Sequence, residues 1–144
     1  MIEVKRYTDA DANLWNKFNA ESKNPLFMFD RNYMDYHRDR FQDHSLMFYE
    51  EEKLVAILPM SERENELVSH GGLTYGGFIT DNKMKQHTMN ECVTSLLQYA
   101  ETEGFDRVYY KVIPHIFHEQ PAEEDRYALF VQNARIEKIE ASTV

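Results

Sequence analysis

The feature that most constrains the fold is a helical pattern from about Asn82 to Glu103, which stands between stretches with strand patterns. Gly104 follows it at the position where a glycine commonly ends a helix. Residues 45–60 before it predict a hairpin, and residues 106–113 after it predict a further strand. A helix between strands indicates a mixed α/β domain. The apolar stripe of the helix consists of Met89, Val93, Leu96, Leu97 and Ala100.

The remaining patterns complete the order β-α-α-β-β-β-α-β-α-β, which suits one domain at 144 residues. The hairpins at its centre make much of the predicted sheet antiparallel, so the fold class is α/β of the α+β kind. In the hairpin, Leu54, Ala56 and Leu58 are predicted to face one way and Val55 and Ile57 the other, so this strand should be buried on both faces. The other predicted strands cover residues 2–7, 66–69 and 135–141, and the other predicted helices cover residues 9–24, 30–38 and 121–133.

Composition excludes several classes of partner. The formal net charge of −9 argues against nucleic acid and against an anionic membrane surface, since both are bound through Lys and Arg. No apolar run approaches the roughly 20 residues that span a bilayer, and the N-terminus lacks the apolar segment of a secretory signal. The single cysteine, Cys92, excludes an internal disulfide and a multi-cysteine metal site. We therefore expect a cytoplasmic protein.

Residues 69–77, SHGGLTYGG, hold four of the five glycines of the chain. Three interpretations stay open for them. The segment forms a structural corner, a groove that faces a substrate, or a cradle whose backbone N–H groups bind a cofactor pyrophosphate. The corner is the favoured interpretation. The candidate substrate-binding or cofactor-binding residues of the segment are Gly71, Gly72, Thr74, Tyr75, Gly76 and Gly77.

His70, directly before these glycines, is a candidate general base because imidazole titrates near neutrality in water. Tyr75 is the other catalytic candidate, and Glu66 and Glu119 are alternative bases. A histidine that serves only the turn is the more common case. Cys92 is expected to be an inert buried thiol, because no basic neighbour in the sequence would lower its pKa.

A second group of candidates follows the predicted strand 106–113. The carboxyl ends of strands in open α/β sheets often carry ligand sites, so these residues are candidates for substrate contact. His115 and His118 also invite a metal interpretation, but their spacing lacks the H-E-x-x-H pattern and the nearby acids suit a helix start. We therefore expect no metal. The candidates are Tyr110, Lys111, His115 and His118.

The order of elements resembles the GNAT-type N-acyltransferase fold without its last strand. Four segments resemble the amino-terminal half of Fem-like acyltransferases: NPLFMFDRNYMDYHRDRF, SLMFYEEEKLVAILP, SHGGLTYGG and PHIFHEQPAEEDRYALF. The resemblance implies transfer of an acyl group from acetyl-CoA or another donor to an amine of a sugar or peptide precursor in bacterial cell-surface biosynthesis. It also implies a single lobe, either alone or as the N-terminal half of a two-lobe protein. The sequence departs from the GNAT pyrophosphate loop, since no Gln or Arg precedes the glycines at the right spacing.

The aromatic segment 25–41 is the candidate interface for a second lobe or for a homodimer. It holds Phe27, Phe29, Tyr33 and Tyr36. Aromatic residues are usually core residues, but in a lone lobe some of these would form an exposed patch that binds a second lobe or subunit. An alternative function is a non-catalytic domain that shapes a substrate groove or mediates assembly and lacks its own acyl-CoA site. A metal-dependent hydrolase built on His115 and His118 is a weaker alternative.

Overall fold

The computed structural model describes residues 1–37, 39–71, 73 and 76–138, without the side chain of His37. Short 3-10 turns aside, these residues form four α-helices and eight β-strands. The helices are α1 (Ala12–Ala20), α2 (Arg31–Met34), α3 (Gln86–Thr102) and α4 (Glu124–Val131). The strands are β1 (Ile2–Arg6), β2 (Gln42–Asp43), β3 (Leu46–Glu50), β4 (Lys53–Leu58), β5 (Met60–Arg63), β6 (Glu66–Ser69), β7 (Ile79–Thr80) and β8 (Arg107–Tyr109).

The strands form two four-stranded sheets, ordered β1-β3-β4-β7 and β2-β5-β6-β8. One long bent hairpin joins them. Its first arm is β2 followed by β3, and its second arm is β4 followed by β5, with the bend at His44, Ser45 and Pro59. Every strand pair is antiparallel except β6 with β8, which is parallel. The predicted α+β fold class is therefore confirmed.

The central strand β4 is buried on both faces, as predicted, because helices cover each side of the sheet. The predicted alternation of its side chains is wrong in one detail. The register against β3 shifts by one residue, so that Val55 is extra, and Leu54 packs with Ile57 while Val55 packs with Ala56 and Leu58. A bulge of this kind turns the preceding side chain to the other face.

Two layers of helices cover the sheets. The predicted stripe of α3 packs against one face through Met89, Val93, Leu96 and Ala100, whereas Leu97 is 39% exposed. On the other face Trp15 of α1 is fully buried and donates from Nε1 to the Phe29 carbonyl at 2.7 Å. Because a buried indole N–H without a partner would be costly, this bond fixes the 3-10 turn Phe27–Phe29 against α1.

Three predicted elements differ from the structure. The strand predicted over 106–113 is limited to β8, after which the Lys111 N–H donates to the Ser69 hydroxyl instead of to a strand partner. The helix predicted from residue 121 begins at Glu124. No strand forms over residues 134–138, and the remainder of the predicted strand 135–141 lies outside the described residues.

Candidate functional site

Arg31 is the centre of a buried polar network that sequence reasoning did not find. It lies at the start of α2, where the Asp30 side chain accepts from the Asn32 N–H and caps the helix. Its side chain is 3% exposed. Its Nη2 contacts Asp35 Oδ1 at 3.0 Å and Asp43 Oδ1 at 3.2 Å, and its Nη1 donates to Ser45 Oγ at 3.2 Å. The planar fork of arginine suits this double pairing.

Asp43 links Arg31 to His70. The bend after β2 brings Ser45 back toward the Asp43 carboxylate, which accepts from the Ser45 N–H at 3.2 Å and from its hydroxyl at 2.8 Å. His70 directly follows β6, is 2% exposed, and places Nε2 at 3.6 Å from Asp43 Oδ1. The start of α2, the bent hairpin and the end of β6 thus bring a guanidinium, a carboxylate and an imidazole together from three separate parts of the chain.

These groups line a cleft of about 560 Å³, which we call the Arg31 cleft. A volume of this size is typical of small-molecule sites. Its lining joins the end of β1 to the segment after α2, to β2 and to His70. The lining residues are Arg6, Tyr7, Thr8, Asp9, Arg31, Met34, Asp35, Phe41, Gln42, Asp43 and His70.

The Tyr7 hydroxyl has no hydrogen-bond partner among the described residues, although Tyr7 is only 6% exposed. The Arg31 guanidinium carbon lies 3.7 Å above the centre of the Tyr7 ring. Burial raises the pKa of Tyr7, and the nearby Arg31 opposes that rise. The hydroxyl therefore stays protonated and is a donor without an acceptor.

The glycine segment lies between β6 and β7 in the chain, and it does not lead directly into α3. β6 ends at Ser69 and β7 begins at Ile79, and both strands pair with the second arm of the long hairpin. Gly71 donates from its N–H to Ser61 Oγ at 3.0 Å, and a Cβ on it would lie 2.7 Å from the Phe41 ring. Gly72, Thr74 and Tyr75 lie outside the described residues.

The last two glycines of the segment permit close packing. A Cβ on Gly76 would lie 2.9 Å from the Ser69 Cβ, and one on Gly77 would lie 3.1 Å from Tyr110 Oη. Gly77 also has a φ of +103°, a conformation that other residues rarely adopt. Both contacts support the predicted structural corner for this part of the segment.

Tyr110 fills the place where β6 and β8 separate. Its hydroxyl accepts from the Phe78 N–H at 2.8 Å and donates to Asp125 Oδ2 at 2.7 Å. Burial and the nearby Asp125 raise the pKa of Tyr110 well above its usual value. Burial also raises the pKa of Asp125, against the opposing effect of the Tyr110 hydrogen bond. One of the acids attributed to the helix start is thus a buried partner of Tyr110.

The raised pKa of Asp125 gives a prediction for the Asp125→Asn variant. The native state holds the Asp125 proton more tightly than the unfolded chain does, so its contribution to stability falls as pH rises through these two pKa values. We expect the variant, which lacks this ionisation, to gain stability relative to wild type as pH rises from about 4 to 7. Melting temperatures at several pH values measure this. A difference that shrinks as pH rises would contradict the assignment.

The other candidates after β8 do not join the Arg31 cleft. His118 and Asp125 border a cavity of about 20 Å³, enough for about one water molecule. Burial lowers the pKa of His118, and its Nδ1 has no partner among the described residues. His115 and Glu119 are exposed, and Glu66 forms surface ion pairs with Arg63 and Arg107. No group of three His, Cys, Asp or Glu side chains that could hold a metal ion occurs within the described ranges.

Cys92 is fully buried beside the apolar stripe of α3, and burial raises its pKa to about 12. Because the thiolate is the reactive form, we expect iodoacetamide at about pH 8 to leave the native chain unmodified and to alkylate it completely in urea. The mass of the intact chain reports the reaction. Modification of the native chain as fast as of the unfolded one would contradict the buried placement.

The aromatic segment 25–41 divides between core and surface. Phe29 is fully buried, whereas Phe27 is 72% exposed and stacks edge to face on Tyr33. Tyr36 is 80% exposed. The segment therefore offers exposed aromatic side chains, and its role as an interface for a second lobe or a homodimer stays a prediction.

The fold is shared with solved acetyltransferase structures. One is a ribosomal-protein-alanine N-acetyltransferase from Brucella melitensis biovar Abortus 2308, with TM-score 0.61, 12% identity, and coverage of 100% of this chain and 98% of that chain. Another is a GNAT family acetyltransferase from Staphylococcus aureus subsp. aureus USA300_TCH1516, with TM-score 0.54, 7% identity, and coverage of 84% and 93%. A third is aminoglycoside N-acetyltransferase AAC(6')-Iy in complex with CoA, with TM-score 0.56, 9% identity, and coverage of 100% and 93%.

These structures confirm the predicted GNAT-type fold. Identities this low show the fold alone, and the resemblance to a Fem-like lobe is not shown. No family model matches the sequence, and a search of curated proteins finds no similar sequence. Within the part of the chain that the structure describes, no helix is both long and apolar enough to cross a membrane.

The CoA in one of these structures raises the question whether a CoA donor fits this chain. Such a donor needs N–H groups for its pyrophosphate and a groove for its thioester arm. The N-terminus of α3 has no side-chain cap and follows Lys83 and Lys85, which suits an anion. However, β7 separates the glycines from α3, and the Tyr110 side chain lies against Gly77 and Phe78, between the start of β7 and the segment after β8. The described residues therefore do not fit a thioester arm at that place.

Proposed function

We propose that the chain is a GNAT-type acyltransferase lobe that holds an amine-bearing acceptor in the Arg31 cleft for transfer of an acyl group to the amine nitrogen. The observation that carries this proposal is the contact of His70 with Asp43 in the wall of that cleft, at 3.6 Å. The fold supports acyl transfer as the class of reaction. The acceptor implied by the Fem-like resemblance is a sugar or peptide precursor of bacterial cell-surface biosynthesis.

The residues of the cleft suit the proton transfer that amine acylation requires. The amine nitrogen attacks the carbonyl carbon of the donor, the leaving group departs with its bonding electrons, and a base takes the proton from nitrogen. His70 is that base in this proposal. Asp43 stabilises the imidazolium that forms, and Arg31 and Ser45 fix the Asp43 carboxylate in place. The donor is a thioester or an aminoacyl ester bound outside the place that Tyr110 fills after β8.

The second candidate is a non-catalytic lobe that holds the acceptor for a donor site on another lobe or protein. The observation that favours it is the hydrogen bonding of Tyr110 to Phe78 and Asp125, which ties the segment after β8 to the start of β7 and to α4. Both candidates use the Arg31 cleft for the acceptor. They differ in whether this chain alone supports transfer.

A transfer assay separates the two candidates. The chain is incubated with glucosamine or glycinamide and with acetyl-CoA or a short acetyl thioester, and mass spectrometry follows the acetylated amine. Loss of a general base lowers rates by about 100-fold or more, so we expect transfer by wild type to fall to background in His70→Gln. The matched control is His115→Gln, which changes an exposed histidine and should keep the rate. Circular dichroism checks that both variants fold.

Each outcome decides between the candidates. Transfer that depends on His70 supports the first. Binding of the amine without transfer supports the second. Absence of both binding and transfer contradicts the use of the Arg31 cleft as an acceptor site.

A further inference from the structure

The charges of the Arg31 cleft restrict what it can hold. Among the described lining residues, carboxylates outnumber guanidiniums by three to two. Both guanidiniums already interact with oxygen atoms of the protein itself. Arg6 donates to the Asp43 carbonyl at 2.9 Å and lies 3.4 Å from Glu62, while Arg31 pairs with its two carboxylates. A ligand with a phosphate or carboxylate would meet net negative charge, whereas a protonated amine would be attracted. The charged lining residues are Asp9, Asp35, Asp43, Arg6 and Arg31.

Two residues in the lining of the cleft also carry a buried donor that lacks an acceptor. Besides the Tyr7 hydroxyl, the Nε–H of Arg31 has no partner among the described residues. Both side chains line the cleft, and they stack on each other. A buried donor without an acceptor costs about 1–3 kcal/mol. A neutral ligand oxygen placed here would supply the missing acceptor without adding negative charge.

The unsatisfied donors and the carboxylates both lie next to the Arg31 guanidinium. The Arg31 side chain contacts the Tyr7 ring on one side and the Asp43 carboxylate on another. A single small molecule can therefore place an ammonium group beside the carboxylates and an oxygen beside the unsatisfied donors. The Phe41 ring, also in the lining, offers an apolar surface for the body of such a molecule.

Resting on the function proposed above, we propose that the occupant of the Arg31 cleft is a protonated amine with a neutral oxygen close to it and with no phosphate or carboxylate of its own. Amino sugars and amino-acid amides share this chemistry. The proposal excludes acceptors that would enter the cleft with a nucleotide or other phosphate attached to the amine-bearing ring.

The test is isothermal titration of the full chain with four probes: glucosamine, glycinamide, N-acetylglucosamine and glucosamine 6-phosphate. We expect glucosamine or glycinamide to bind, and the preferred one identifies the source of the amine. N-acetylglucosamine, which lacks the charge, and glucosamine 6-phosphate, which adds negative charge, should each bind at least about tenfold more weakly than glucosamine. Equal or tighter binding of either one would overturn the proposal.

Two variants test the two halves of the proposal. Tyr7→Phe removes a hydroxyl without a partner, so we expect it to leave the melting temperature of the free chain unchanged or higher and to weaken binding of the preferred amine several-fold. Asp9→Asn should weaken that binding about threefold to fivefold. The matched control is Glu52→Gln at the exposed hairpin tip, which removes one negative charge elsewhere and should leave the affinity unchanged.

The outcomes distinguish this inference from the function on which it rests. If amines bind and the phosphorylated or Tyr7→Phe comparisons show no difference, the ligand class is wrong and the acceptor cleft stands. If no amine binds, the acceptor cleft and the ligand class both fall. If Tyr7→Phe destabilises the free chain, the hydroxyl has a partner and the argument from an unsatisfied donor fails.

Discussion

Replacement of Arg31 by alanine is expected to lower the free energy of unfolding by about 3 kcal/mol. The change leaves the Asp35 and Asp43 carboxylates without their shared cation, and it removes the planar group that covers the Tyr7 and Trp15 rings. The two carboxylates are partly exposed, so the loss lies at the low end of the range for a broken buried pair. For a chain of this size it corresponds to a fall in melting temperature of about 10 °C.

Urea unfolding followed by circular dichroism measures the Arg31 effect. The midpoint should fall while the dependence on urea concentration stays the same. Arg126→Ala is the matched control, because Arg126 is about half exposed and pairs with Glu123 at 4.0 Å on the surface. Its loss should be at most about 1 kcal/mol. Equal losses for the two variants would show that Arg31 does not organise the cleft.

Gly77→Ala is expected to be the second large effect, with a loss of about 3 kcal/mol. Two terms contribute to it. A positive φ strains an alanine by about 1–2 kcal/mol, and the new Cβ would lie 3.1 Å from Tyr110 Oη and 3.3 Å from Ile113 Cγ1. Overpacking of this kind costs a further 1–3 kcal/mol, roughly. Urea unfolding again provides the measurement.

Gly104→Ala is a control that separates the two terms. Gly104 also has a positive φ, of +85°, but a Cβ there would meet nothing within 4 Å. We expect this variant to show the backbone strain alone, about 1–2 kcal/mol. If Gly77→Ala costs no more than Gly104→Ala, Gly77 does not pack closely against Tyr110, and the place between the start of β7 and the segment after β8 is open.

The local elements were predictable because their patterns are local. The period of α3 and the hairpin around Glu51 and Glu52 follow from spacing and composition over short windows. The extra residue at Val55 was not predictable, because a bulge depends on the partner strand. The end of β8 was missed for a similar reason, since the Ser69 hydroxyl takes the Lys111 N–H across more than forty positions of the chain.

The candidate site, too, could be predicted from the sequence only in part. Sequence reasoning named His70 but missed Tyr7, Arg31 and Asp43, which lie just after β1, in α2 and in β2, far from His70 in the chain. An arginine in a charged segment predicts a surface position, and only the tertiary fold shows that Arg31 is buried between two carboxylates. Tyr110 and His118 were named as well, but the structure places them on the far side of the glycine segment, around the Asp125 carboxylate.

The most direct test of the Arg31 cleft as an acceptor site is an NMR titration of the ¹⁵N-labelled chain with glucosamine and, separately, with glycinamide. We expect the amide resonances of the Arg31 cleft to shift in a saturable way, including those of Asp9, Gln42 and His70. Resonances of Phe78 and Lys111, which lie around Tyr110, should stay in place. Shifts confined to the Tyr110 region, or no saturable shift with either amine, would contradict the assignment of the Arg31 cleft as the acceptor site.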